Sequence, residues 1–146
     1  MSDRLYPNRP IIAASIAVFR GGKVLLAARK ETASNPVFSL PGGLVEIGET
    51  LQEAALRELQ EEVSVEARII GFIDHAEFIE RDADDKVKRH FVVNAFVGEW
   101  VSGEATTGPE APHVMWVDPQ ALGGIATTKG LNIILDKAVA MMRGRA

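Results

Sequence analysis

Cysteine is absent from this chain of 146 residues, and there is no excess of basic side chains. Without cysteine the protein has no disulfide, no thiolate metal ligand and no cysteine nucleophile. This composition fits a reducing compartment, so we expect a cytoplasmic protein. The formal net charge is −4, whereas nucleic-acid-binding domains usually carry a basic excess. We therefore expect no DNA or RNA polymer as a partner, but a small phosphate ligand stays open because a metal ion can supply positive charge.

Long hydrophobic runs are also lacking, because no apolar stretch reaches the roughly 20 residues that a membrane-spanning helix needs. The apolar run Ile11–Phe19 follows Pro7 and Pro10 and leads at once into an Arg-Gly-Gly-Lys turn. We interpret it as a strand rather than as a signal peptide. With 47% hydrophobic residues, the chain is large enough for one hydrophobic core, and we expect a single domain over residues 1–146.

Hydrophobic periodicity predicts an α/β fold with the element order β-β-α-β-β-β-α. Both faces of the strand at 11–19 are apolar, which indicates that layers cover it on both sides. The fold we expect is therefore a three-layer α/β/α sandwich around a mixed β-sheet. The predicted strands are 11–19, 23–29, 68–80, 87–101 and His113–Val117, and the predicted helices are Thr50–Val63 and a C-terminal segment with Leu131, Leu135, Ala138 and Met142.

The predicted helix at 50–63 carries an unusual concentration of negative charge. Glu58 lies three and four positions from Glu61 and Glu62, so like charges meet on the helix surface at a cost of a few tenths of a kcal/mol per pair. One interpretation is a solvated acidic face on which Arg57 bridges Glu53 and Glu61. The other is a cation site, since Mg²⁺ binds carboxylate oxygens together with substrate phosphates. The helix alone does not distinguish the two.

The residues before the helix favour the cation site. A glycine-rich approach, Leu40–Thr50, contains Gly43 and Glu49 at fixed distances from the run 57–62. Together they resemble the Nudix hydrolase signature, Gly-x5-Glu-x7-Arg-Glu-apolar-x-Glu-Glu-x-Gly-apolar. Ser64 is the one departure, because the family has glycine there. That glycine lies just past the helix, where a left-handed backbone is common, so we expect Ser64 to adopt this conformation with some strain.

The resemblance implies a metal-dependent hydrolase of the same three-layer fold. Such enzymes hydrolyse a diphosphate that links a nucleoside to another group, and they use Mg²⁺ or Mn²⁺ and water. The expected partner is a small nucleotide substrate, and we expect no association with a membrane. The protein could form a homodimer. By resemblance the metal ligands are Glu58, Glu61, Glu62 and the backbone carbonyl of Gly43, while Arg57 and Glu49 form a supporting pair that positions the loop against the helix.

The resemblance also suggests residues outside the signature. In the family the general base is either a glutamate of the helix or one on a later loop. On the later loop Glu110 resembles the extra glutamate seen in many relatives, with Glu99 and Glu104 as alternatives or as solvated loop residues. Arg29 is a candidate phosphate contact, or simply a surface arginine. Asn132 is a candidate contact to a purine base, or a helix cap.

The resemblance predicts the type of reaction, but it leaves more than one substrate class possible. We favour ADP-ribose or a similar nucleoside diphosphate conjugate, although residues 77–82 lack a proline that larger ADP-ribose pyrophosphatases often carry. The alternative is a nucleoside triphosphate pyrophosphatase of the 8-oxo-dGTP type, and a third reading is a non-catalytic nucleotide-sensing domain. Phe78, Phe96 and Trp116 could stack on a base, but we expect each to pack in the core.

Overall fold

The computed structural model describes residues 4–28, 36–109 and 111–145. This part of the chain forms seven strands, which make up one mixed sheet, and two helices, which flank it. The elements are β1 (Ile11–Arg20), β2 (Lys23–Ala28), β3 (Phe38–Ser39), β4 (Gly42–Leu44), α1 (Leu51–Val63), β5 (Glu66–Arg81), β6 (Val87–Ser102), β7 (His113–Val117) and α2 (Leu131–Arg143).

Strand β1 is the centre of the sheet. It pairs in parallel with β6 along most of its length, from Ile11 opposite Phe91 to Phe19 opposite Glu99. On its other edge β1 pairs antiparallel with β4 at residues 13–15 and with β2 at its last two residues, Phe19 and Arg20. Strands β5 and β6 form a long antiparallel hairpin, and β7 pairs with β2. The predicted mixed sheet is confirmed.

The two helices cover opposite faces of the sheet, which confirms the three layers. Alternate side chains of β1 enter different hydrophobic clusters because successive residues of a strand point to opposite faces. The cluster on the α1 face contains Ala14, Ile16, Val18, Leu59 and Val63, and the cluster on the α2 face contains Ala17, Phe19, Val97, Leu135 and Ala138.

Two short strands, β3 and β4, correct the predicted element order. The glycines at 42 and 43 were expected to mark a turn-rich approach to the helix, yet they form β4 and pair with β1. A Cβ at residue 42 would overlap the backbone oxygen of Ala14. Glycine is therefore needed at residue 42 because the backbones of β4 and β1 lie close together. Glycine is also a strong turn signal in a sequence, which is why a turn was the expectation here.

Helix α1 begins at Leu51, and Thr50, the first residue of the predicted helix, is its N-cap. The hydroxyl of Thr50 accepts a hydrogen bond from the Glu53 backbone N–H at 3.1 Å, and the Glu53 carboxylate accepts one from the Thr50 N–H at 2.8 Å. This capping box satisfies two N–H groups that the helix itself cannot pair. Within the described ranges, no helix is long and apolar enough to cross a membrane.

Candidate active site

Glu58 lies directly against Gly43 of β4. A Cβ at residue 43 would occupy the space of the Glu58 carboxylate, so only glycine lets the helix and the strand approach this closely. The Glu58 side chain is 15% exposed. The signature glycine therefore has a steric reason, and it brings a carboxylate and a backbone segment together.

Glu62 reaches the same backbone segment from the next turn of α1. Its carboxylate accepts a hydrogen bond from the Gly42 N–H at 2.8 Å, and the residue is only 6% exposed. A carboxylate this deeply buried is uncommon unless it is paired or coordinates a metal. Glu58 and Glu62 thus both contact the strand β4.

Arg57 connects the helix to the approach loop through several acceptors. Its Nε and Nη2 atoms donate to the two carboxylate oxygens of Glu49 at 2.6 and 2.9 Å, and Nη2 also donates to the Leu44 carbonyl at 3.0 Å. Its Nη1 donates to Glu61 at 3.0 Å and lies 3.5 Å from a Glu58 oxygen. The predicted pairing of Arg57 with Glu49 is present.

The same contacts revise the solvated-face interpretation of α1. Arg57 does pair with Glu61, but its main partner is Glu49, while Glu53 caps the helix. The Arg57 guanidinium beside Glu49 lowers the pKa of that carboxyl from 4.5 to about 2, and the Glu49 carboxylate raises the pKa of Arg57. Arg57 also offsets part of the repulsion between Glu58 and Glu61.

The donor set of this region suits a hard divalent cation. The available ligands are carboxylate and carbonyl oxygens, which Mg²⁺ and Mn²⁺ prefer. Among the described residues, no three carboxylate or imidazole side chains already converge on one point. Glu58 and Glu62 flank β4, whereas the Glu61 side chain is 57% exposed and turned towards Arg57. In this arrangement Glu61 is paired with Arg57 and is not seen in contact with β4.

A cavity of about 980 Å³ opens beside Glu58 and the strand β4. Its floor includes Ala13 and Ser15 of β1, which lie between β4 and β6 in the sheet. We call its two flanks the β4 side and the hairpin side. The β4 side carries Gly42, Gly43 and Glu58, and the hairpin side carries Phe78, Arg89, Phe91 and Val93. The volume is sufficient for a nucleotide-sized ligand.

Three of the other predicted residues, Asn132, Glu99 and Glu104, have different surroundings from the α1 carboxylates. Asn132 lies exposed in the first turn of α2 and does not line the cavity, and Gly130 rather than Asn132 is the N-cap. Glu99 pairs with Arg68 and with Arg145, and Glu104 pairs with Arg20. Arg29 and Glu110 lie outside the described residues.

The hairpin side of the cavity is not predicted by the sequence. Phe78 was expected in the core but is 40% exposed and lines the cavity, whereas Phe96 is buried as expected. Arg89, Phe91 and Val93 alternate along β6 and share one face. That period of two was the available signal, although the sequence alone does not tell which face borders a cavity.

Ser64 has the backbone conformation that the signature position requires. Its φ and ψ are 63° and 35°, and its N–H donates to the Gln60 carbonyl at 3.0 Å. Its hydroxyl oxygen accepts a hydrogen bond from the Thr106 hydroxyl at 3.3 Å. The left-handed region costs a residue with a Cβ about 1–2 kcal/mol, so serine is strained where glycine would not be.

We expect Ser64→Gly to raise the melting temperature by about 2–4 °C, since relief of about 1 kcal/mol of strain has an effect of this size in a domain of this length. Activity should stay within about twofold, because the substitution keeps the left-handed backbone at the helix end and leaves the carboxylates before it in place. Thermal unfolding of Ser64→Gly and of Ser64→Ala, which keeps the strain and loses the hydroxyl, separates the two contributions. A lower melting temperature in Ser64→Gly would show that the hydroxyl contact outweighs the strain.

Comparison with known proteins shows to which family the chain belongs. The family model described as NUDIX domain matches residues 9–138. The chain belongs to the Nudix family. Among solved structures, a MutT NUDIX hydrolase from Burkholderia pseudomallei superposes on this Nudix hydrolase with a TM-score of 0.74 and 24% identity, over 89% of this chain and 98% of the other. At this identity the likeness supports the fold alone.

Curated relatives of this Nudix hydrolase carry different substrate names. An ADP-ribose pyrophosphatase of Methanocaldococcus jannaschii is 30% identical over 123 residues, which cover 84% of this chain and 70% of that protein. A putative 8-oxo-dGTP diphosphatase of Bacillus subtilis is 32% identical over 104 residues, 68% of this chain and 60% of the relative. A NAD-capped RNA hydrolase NudC of Pectobacterium carotovorum is 28% identical, and the chain spans 38% of its length.

Proposed function

We propose that this Nudix hydrolase is a Mg²⁺-dependent or Mn²⁺-dependent pyrophosphohydrolase that cleaves the diphosphate bond of a nucleoside diphosphate linked to another group. The observation that carries the proposal is the approach of two α1 carboxylates, Glu58 and Glu62, to the β4 backbone at the border of a nucleotide-sized cavity. ADP-ribose is the first substrate to test, because a relative of that name matches most of the chain.

Residues of this chain would perform three tasks in that reaction. Glu58, Glu61, Glu62 and the Gly43 carbonyl would hold the divalent ion. When bound, the ion supplies positive charge to the phosphate oxygens and lowers the pKa of a water molecule. Arg57 and Glu49 keep the loop and helix in register, which holds the ligand atoms at fixed separations. A carboxylate must also take the proton of the attacking water, and either an α1 glutamate or Glu110 serves in that role.

The charge of the site supports metal dependence. A diphosphate is anionic, and the β4 side of the cavity presents the carboxylate of Glu58. Without a cation the two would repel each other, whereas a bound divalent ion reverses the local sign. The proposed hydrolysis therefore requires the metal for binding as well as for chemistry.

A nucleoside triphosphate pyrophosphatase acting on 8-oxo-dGTP-type substrates is the second candidate. The relative of that name in Bacillus subtilis supports it. Both candidates use the same carboxylates and differ in what the rest of the cavity accepts.

A substrate screen tests the proposal. Release of phosphate, pyrophosphate and nucleoside monophosphate is measured with Mg²⁺ and with Mn²⁺ over ADP-ribose, NADH, nucleoside triphosphates including 8-oxo-dGTP, dinucleoside polyphosphates and sugar nucleotides. We expect turnover of at least one class that stops when the metal is chelated. Tight nucleotide binding without turnover at either metal would instead support a non-catalytic sensing domain.

A further inference from the structure

The hairpin side of the cavity is an aromatic wall. Phe78 of β5 and Phe91 of β6 are direct cross-strand partners, and both line the cavity. Val93 lines it two residues further along β6. Phe78 leaves 40% of its surface exposed, and apolar surface of this kind gains free energy when a ligand removes it from water. The fold therefore leaves an aromatic side chain uncovered at a place that a ligand can reach.

The charged side chain of this wall is already paired. Arg89 lies opposite Glu80 in the hairpin, and its Nη1 atom donates to the Glu80 carboxylate at 2.6 Å. The positive charge of Arg89 is thus offset within the hairpin itself, and an arginine bound in this way still offers an apolar stem. The hairpin side therefore suits a flat, uncharged group better than it suits a phosphate.

Leu5 adds a second apolar surface to the cavity. It lines the cavity and is 38% exposed. The adjacent Tyr6 is bonded to the hairpin at two points, because its N–H donates to the Lys88 carbonyl and its hydroxyl donates to Asp82, each at 2.8 Å. Tyr6 has a φ of 50°, a conformation that costs free energy and persists only where surrounding contacts impose it. The segment that carries Leu5 is therefore fixed against the hairpin.

The aromatic wall and the candidate cation site lie on opposite flanks of the same cavity. Strands β6 and β1 separate β5 from β4 in the sheet, so three strand spacings, about 14 Å, lie between the two flanks. A nucleoside diphosphate conjugate carries a flat base on one side of the ribose and the diphosphate on the other. With its diphosphate beside Glu58, such a ligand extends along the cavity and brings its base to Phe78.

Stacking is the contact that an aromatic side chain offers to a base. It raises affinity by about fivefold or more, and it tolerates any base because every base has a π-face. We propose that Phe78 binds the nucleobase of the substrate by stacking on its face, so that the hairpin side is the base subsite. This inference rests on the proposed function and names a substrate-binding residue for it. It holds for the adenine of ADP-ribose and for the purine of an 8-oxo-dGTP-type substrate alike.

Adenosine monophosphate and ribose 5-phosphate test the subsite by binding alone. The two ligands share the sugar and the phosphate and differ in the base, and calorimetry with Mg²⁺ present measures the Kd of each. We expect wild type to bind adenosine monophosphate at least about fivefold more tightly than ribose 5-phosphate. Phe78→Leu keeps an apolar side chain without an aromatic face, so this ratio should fall at least about threefold. Equal binding of both ligands by wild type, or an unchanged ratio in Phe78→Leu, would overturn the inference.

Phe72→Leu is the matched control. Phe72 lies on the same strand and is 48% exposed, but its ring packs edge-on against Phe96 and it does not line the cavity. Its ratio should equal that of wild type. Phe78→Tyr retains an aromatic face and should stay within about twofold of wild type, and Phe78→Met is a second variant without such a face in case Phe78→Leu does not fold. A ratio that falls as far in Phe72→Leu or in Phe78→Tyr as in Phe78→Leu would contradict the assignment.

Hydrolysis provides a readout that a purely structural role would not change. Stacking holds the base equally in the ground state and in the transition state, so Phe78→Leu should raise KM for ADP-ribose at least about fivefold while kcat stays within about twofold. The rise in KM should be the same for inosine diphosphate ribose, whose base has the same rings and a different edge. A loss confined to kcat, or to one of the two bases, would show that the ring of Phe78 does not bind the face of the base.

The binding ratio separates this inference from the proposed function. If no nucleotide is hydrolysed, the proposed function fails, but the ratio between adenosine monophosphate and ribose 5-phosphate still tests the base subsite. If wild type and Phe78→Leu hydrolyse ADP-ribose with the same KM, the proposed function stands and the inference is rejected.

Discussion

Replacing Glu62 by glutamine is expected to lower kcat/KM by about 100-fold or more while leaving the protein folded. Glutamine keeps an oxygen that can accept the Gly42 N–H bond seen at 2.8 Å, so the contact between α1 and β4 survives. It removes the negative charge that the proposed cation needs. Loss of an outer contact to a metal ligand typically costs 10–100-fold, and loss of a ligand itself should cost at least as much. Steady-state kinetics at saturating Mg²⁺, with thermal unfolding in parallel, measures both effects.

Glu53→Gln is the matched control for this variant. It makes the same chemical change on the same helix, and glutamine can also complete a capping box. Glu53 pairs with Thr50 rather than with β4. The activity of the Glu53→Gln variant should therefore stay within about twofold of wild type. If Glu62→Gln and Glu53→Gln had equal activities, Glu62 would not belong to the catalytic machinery.

Replacing Arg57 by methionine is expected to lower the melting temperature by about 4–8 °C and to lower activity as well. The change removes charge-assisted hydrogen bonds to Glu49 and Glu61 and one to the Leu44 carbonyl, a loss of about 2 kcal/mol. It also loosens the loop that carries Gly43. Arg81→Met is the control, because Arg81 is about half exposed and its closest carboxylate, on Asp85, lies 3.9 Å away. A melting temperature in Arg57→Met no lower than in Arg81→Met would exclude this role.

The pH dependence of stability gives the Arg57 prediction a second readout. The pKa of Glu49 is about 2 in the folded protein against an ordinary 4.5, so on acidification the unfolded chain binds this proton first. The contribution of Glu49 is therefore fully present above about pH 4.5 and is lost as the pH falls towards 2. In Arg57→Met the pKa of Glu49 returns towards its ordinary value. The melting-temperature difference from wild type should accordingly be smaller at pH 3 than at pH 6, and a constant difference would contradict the cause assigned to the shift.

The elements that the sequence predicts well are those whose determinants are local. The start of α1 depends on Thr50 and Glu53, which are three residues apart, and its buried stripe repeats at helical spacing. The two apolar faces of β1 likewise predict that a layer packs on each side of the sheet. The spacing from Gly43 to Glu62 identifies the carboxylates, and the structure adds why residue 43 has no side chain.

The features that the sequence does not predict depend on pairing between distant segments. Strand β4 exists because β1 offers it a free edge, and its glycines carry no periodic pattern of their own. Phe78 and Phe91 are paired across the hairpin and both line the cavity. Phe78 is therefore exposed to the cavity instead of being packed in the core. Arg4 lines the cavity, and the neighbouring Tyr6 is hydrogen-bonded to Lys88 of the hairpin. None of these neighbours is visible from local composition.

Direct titration with Mn²⁺, followed by the electron paramagnetic resonance signal of the free ion, tests the central claim that the α1 carboxylates beside Gly43 form a cation site. Wild type, Glu58→Gln and Glu53→Gln are compared at equal concentration. We predict that wild type and Glu53→Gln bind Mn²⁺ with the same Kd, and that Glu58→Gln binds at least about 10-fold more weakly. Equal binding by all three proteins would contradict the account.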